Sequence, residues 1–107
     1  MYKPKSTGEI YIESLSINSV SIEKQLTDQS ILSDEIRSIL DFVSKMYREN
    51  VERIVTMCDK DMMALEYVPS PLKLFVDCLT HAQKSLSLSS PANRLIQRYA
   101  AAWEDWM

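Results

Sequence analysis

From Ile36 to Leu65 an apolar residue recurs every three or four positions, through Leu40, Val43, Tyr47, Val51, Ile54, Cys58 and Met62. That spacing is the period of one face of an α-helix. No proline interrupts it before Pro69, which also biases Val68 away from helical backbone. Ser33 offers a cap, and Asp34 and Glu35 put negative charge on the first turn, where the helix dipole favours it. One helix is therefore predicted over about 34–66, roughly 50 Å long at 1.5 Å per residue. A stop near Asn50 is the alternative.

The charges agree with this helix. Arg37, Asp41, Lys45, Glu49 and Arg53 alternate in sign every four residues, the pattern of a solvated face. Ile39, Phe42, Met46 and Met57 then widen the apolar arc to about 200° at 100° per residue. A surface helix needs little more than about 100°. The surplus asks for a further partner, and these four side chains are candidate contacts for one. Met46, Met57, Met62 and Met63 read either as core filler or as an adaptable binding groove. Asn50, at the edge of the arc, is either a rim residue or a polar contact that sets the register of paired helices.

Two shorter helices announce themselves with one device. In VPSPLKLF, Ser70 caps and Pro71 takes the first helical position; LSSPANRL repeats the arrangement with Ser90 and Pro91. The predicted spans are about 71–86, with Leu72, Phe75, Val76, Leu79 and Ala82 inward, and about 91–106, with Leu95, Ile96, Tyr99 and Ala102 inward. The short SLSS link favours an antiparallel pair. The ending WEDWM places Trp103 and Trp106 three residues apart, either docked on the long helix or presented as an aromatic anchor for a partner.

The front of the chain reads differently. Residues 1–8 look like a flexible lead-in to a single domain over 9–107. EIYIESLSINSVSI, over about 9–22, carries its apolar residues in pairs at Ile10 and Ile12, Leu15 and Ile17, Val20 and Ile22. Alternation within each pair is strand chemistry, and the one-residue slip between pairs predicts bends near Glu13-Ser14 and Asn18-Ser19. Such a segment either folds back as a small hairpin or lends an edge to a second chain, through Ile10, Ile12, Leu15 and Ile17. A polar connector, 23–30, follows it. The predicted fold class is thus mainly α, with a β-type amino-terminal segment.

Gly8 is the only glycine among 107 residues. Phosphate-cradling loops, nucleophile elbows and dinucleotide fingerprints all need glycine for close backbone approach, so those enzyme classes are not expected. A net charge of -3 argues against a broad electrostatic footprint for nucleic acid or anionic lipid. No apolar run approaches the roughly 18 residues that span a bilayer, and MYKPKSTGE lacks the apolar core of a secretory signal. Cys58 and Cys78 are unclustered, which suits reduced thiols in a cytoplasmic setting.

Other chemistry is thin. His81 lies one turn after Asp77, with no nucleophile motif beside it. Asp59 and Asp61 point about 100° apart per residue on a helix, too far to chelate one ion, even with Glu66 nearby. Neither cysteine has a cationic neighbourhood that would activate it. No catalytic, cofactor or metal site is expected. The predicted function is a non-enzymatic protein-protein contact module: an adaptor, assembly factor or chaperone-like protein. It is expected to form a homodimer through the long helix, the amino-terminal segment or both, and to bind another protein. The alternative is a nucleic-acid-binding regulator using Arg94, Gln97 and Arg98 on the last helix.

Overall fold

The computed structural model describes residues 6–60 and 68–105, with side chains for 6–58 and 68–102. Four helices make up the described chain: α1 (Thr7–Asp28), α2 (Ser33–Lys60), α3 (Pro71–Ser85) and α4 (Ser90–Asp105). No strand occurs among the described residues. The predicted β-type segment over 9–22 is instead the body of α1. Ser6 caps that helix, its hydroxyl accepting from the Glu9 amide at 3.2 Å, so Thr7 and Gly8 belong to the helix and not to a lead-in.

The reason lies in which apolar residues set the phase. Tyr11, Leu15, Ile22 and Leu26 are buried in one line, spaced four, seven and four apart, with half-buried Asn18 between them. Tyr11 and Leu26 lie outside the alternating pairs, and they convert an apparent period of two into a period near 3.6. Ile, Val and Ser are modest helix formers, but burial of a whole face outweighs differences of a few tenths of a kcal/mol per residue.

α1 ends in a Schellman-type cap. The Ile31 amide donates to the Leu26 carbonyl at 3.2 Å and the Ser30 amide to the Thr27 carbonyl at 3.0 Å. Ser30 takes the left-handed conformation, φ 59, that glycine usually supplies. Buried Ile31 returns to the core beside Leu26, which completes the motif. Residues 23–28 of the expected connector are therefore helix.

α2 starts with the Ile36 amide bonded to the Leu32 carbonyl at 3.0 Å. It passes through Asn50 without a stop. The Asn50 amide donates to the Met46 carbonyl at 2.8 Å, one turn back, so its polarity is satisfied within its own helix. The predicted stretch 61–66 lies outside the described residues. The long dimension of the molecule is 44 Å, close to the roughly 42 Å expected of 28 helical residues.

α3 follows its sequence signal, with Ser70 accepting from the Lys73 amide at 3.2 Å and Pro71 in the first turn. α4 begins one residue earlier than predicted. Ser89, rather than Ser90, precedes it: the Ser89 carbonyl accepts from Asn93, while its own amide and hydroxyl donate to Glu35 Oε1 at 2.7 and 2.9 Å. A carboxylate on α2 thus anchors the start of α4.

α1 packs along α2, lies against α3 and touches α4, whereas α2 packs against α1 and α3 and reaches the start of α4 through the Glu35 side chain. The core runs through Ile22, Leu26, Ile39, Val43, Tyr47, Phe75, Cys78, Leu79 and Ile96, all fully buried. This resolves the over-wide arc of α2. With α1 a full helix on one flank and α3 on the other, Ile39 is fully buried and Leu40, Phe42 and Met46 are partly covered against the core.

Candidate protein-binding surface

At about 100° per residue, the side of α1 opposite Tyr11, Leu15, Ile22 and Leu26 carries Ile10, Ile17 and Val20. They are 48%, 70% and 67% exposed. Burial explains the inner face; nothing within the described residues covers the outer one. Ser16 and Ser21 flank this stripe and are exposed as well. Leu32, 74% exposed, lies in the turn just beyond α1, and Met57, 48% exposed, lies towards the end of α2.

The eight predicted contact residues with described side chains divide into three groups. Ile10, Ile17 and Met57 stand on the surface. Leu15 and Ile39 are core residues and present nothing outward, because α1 and α2 bury each other's inner faces. Ile12, Phe42 and Met46 are half-buried, with Ile12 edging an open groove of about 500 Å³ beside Lys45, Arg48 and Glu49. Trp103 is on α4 with its side chain outside the described residues, and Trp106 lies outside them altogether. Val20 and Leu32 were not predicted. A helical projection of residues 9–28 places Val20 beside Ile17; no pattern marks Leu32.

Two further grooves open where α1 meets its neighbours. One of about 430 Å³ is lined by Gln25, Asp28, Leu95, Arg98 and Tyr99, between the end of α1 and α4. The other, of about 250 Å³, lies between Glu23, Thr27, Ile36, Arg37 and Asp41. Each holds both a cation and an anion in its wall, so neither presents one sign of charge to a ligand.

Under the α1 surface the hydroxyl of Ser19 is buried without a hydrogen-bond partner among the described residues, while other polar groups are tied down. The Tyr99 hydroxyl donates to Asn18 Oδ1 at 2.7 Å, while the Asn18 amide donates to the Ser14 carbonyl and hydroxyl. The Tyr11 hydroxyl donates to the Pro69 carbonyl. Burial raises the Tyr11 and Tyr99 hydroxyls above their ordinary value, with Cys58 adding to the effect at Tyr11. Burial raises Tyr47 strongly, reinforced by Tyr11 and Cys78 and opposed by a hydrogen bond with Ser14. Burial, and then the charge of Asp77, push the Cys78 thiol up to about 12. A thiol so disposed is a weak nucleophile at neutral pH.

His81 and Asp77 are both exposed on α3. Among the described residues no group of three or more His, Cys, Asp or Glu side chains could hold a metal ion. The side chains of Asp59, Asp61 and Glu66 lie outside those residues. Arg94, Gln97 and Arg98 are exposed on α4. No described helix is long and apolar enough to cross a membrane. Comparison with protein-family models, with curated proteins and with solved structures returns no match.

Proposed function

We propose that this chain is a non-enzymatic contact module, of the adaptor, assembly or chaperone-like kind, that associates with itself through the outward face of α1. One observation carries the reading: Ile10, Ile17 and Val20 stand exposed along one stripe of a helix whose opposite stripe is fully committed to the core. Burying apolar area of this kind is worth about 25 cal/mol per Å², and an uncovered stripe leaves that gain unrealised. The long helix contributes less to association than its sequence implied, since α1 and α3 absorb most of its surplus apolar arc.

Sedimentation equilibrium from about 10 µM to about 1 mM tests the reading, the range in which weak protein pairs form. The expected result is a molar mass that climbs towards the dimer, and that stays at the monomer in the double variant Ile17→Glu/Val20→Glu. A wild-type chain that is a strict monomer throughout rejects it.

A second reading, nucleic-acid binding through α4, is favoured by the joint exposure of Arg94, Gln97 and Arg98 on neighbouring positions. Phosphate contacts make affinity fall steeply with salt, whereas apolar packing does not. Titration of an oligonucleotide duplex at two salt concentrations therefore separates the two.

A further inference from the structure

The stripe on α1 has a finer order. Ile10, Glu13, Ile17, Val20, Lys24 and Thr27 are all exposed, and they succeed one another by three, four, three, four and three residues. That is the spacing of the contact seam of a two-stranded coiled coil. The inner line of Tyr11, Leu15, Asn18, Ile22 and Leu26 also steps by three and four, but it is already taken up by three neighbouring helices.

Orientation decides whether two copies of this seam fit. In a parallel, in-register pair each residue meets its own copy. Glu13 would face the partner's Glu13, and Lys24 the partner's Lys24, two like-charge layers. In an antiparallel pair with the two-fold axis between Asn18 and Ser19, the layers change. Ile17 meets the partner's Val20, Glu13 meets the partner's Lys24, and Ile10 meets the partner's Thr27, each contact occurring twice. The Thr27 hydroxyl is already satisfied by the Glu23 carbonyl at 2.9 Å, so that layer buries no unpaired donor. Ser16 and Ser21 beside the seam are small enough to let two backbones approach.

We propose that the occupant of the outer face of α1 is the same face of a second copy, packed antiparallel, with apolar Ile17–Val20 layers at the centre and Glu13–Lys24 ion pairs on either side. This rests on the self-association reading above and specifies its geometry. Stable, specific interfaces of standard size use some 20–30 residues a side; a seam of six is a weak, concentration-dependent contact.

Charge reversal tests the register. Sedimentation equilibrium at low ionic strength compares the wild type with Glu13→Lys, Lys24→Glu and the double variant, with circular dichroism confirming that each keeps its helices. Each single change turns two attractive layers into two repulsive ones, and the dimerisation constant is expected to fall about tenfold. The double variant exchanges the partners and is expected to return to within about threefold of wild type. A parallel pair would be insensitive to both single changes, because one like-charge layer merely replaces another. A wild-type dimer that ignores the single changes, or a double variant that stays weak, overturns the antiparallel register and leaves self-association standing. A wild-type monomer at about 1 mM overturns both.

Discussion

The Tyr47 hydroxyl donates to the backbone carbonyl of Tyr11 across 2.6 Å, joining the middle of α2 to the start of α1. Their rings lie 6.4 Å apart, Tyr47 and Phe75 6.5 Å, and Phe75 and Tyr99 6.1 Å. One line of aromatic contacts thus crosses all four helices, and hydroxyl groups secure α1 at Tyr11 and at Asn18.

Replacing Tyr47 with Phe removes this hydroxyl while keeping the ring contacts. The Tyr11 carbonyl is left with whatever bond its own helix supplies, so the expected loss is about 1 kcal/mol of unfolding free energy. Tyr47→Ala opens a cavity as well, with an expected cost of about 3–5 kcal/mol. Urea titration followed by circular dichroism measures both.

The alkaline limb of stability follows from the buried groups. Cys78 titrates at about 12 in the fold against an ordinary value of 9.0, and Tyr11, Tyr47 and Tyr99 are raised above 10.0. A raised value in the folded state means stability fully present below the unfolded value and lost as pH climbs towards the folded one. The melting temperature is expected to hold up to about pH 9 and fall from there to about 12. In Cys78→Ala the fall should begin nearer pH 10, where the tyrosines take over.

Glycine and the left-handed turn are misplaced relative to each other. Gly8, the only glycine, sits inside α1, where an added Cβ would meet Val55 Cγ2 at an ordinary 3.4 Å. Ser30 holds the only positive φ among the described residues. Gly8→Ala and Ser30→Gly are each expected to stabilise the fold by about 0.5–1 kcal/mol, the first through helix propensity and the second by relief of strain. Their effects should add, because the sites lie at opposite ends of α1.

Glu35 serves α4 from another helix. Glu35→Ala leaves the Ser89 amide and hydroxyl without their carboxylate and should cost about 1 kcal/mol. Fraying at the start of α4, seen as faster amide exchange at residues 90–93, is the specific signature.

α2, α3 and α4 were legible because each carries its own punctuation. A period of three and four marks α2, and Ser-Pro marks the other two. α1 was not legible because its outer stripe is also apolar. Ile10, Ile17 and Val20 mask the inner line, and Asn18 interrupts it where its partner, Tyr99, is 81 residues away in sequence. The start of α4 slipped by one residue because Ser89 is held by Glu35, a tertiary contact with no local signal. As for the surface, Ile17, expected at a contact, is 70% exposed, while Leu15 and Ile39 could be assigned inward only once α1 was known to be a helix.

The bonds that seat α1 also dictate when it can be seated. Tyr11 closes on Pro69, 58 residues downstream, and Asn18 closes on Tyr99. During synthesis α1 emerges before the partners that seat it, and the last of these contacts waits for Tyr99. Until then the nascent chain carries a helix with two uncovered apolar faces, one awaiting α3 and α4 and the other not covered by any described part of its own chain.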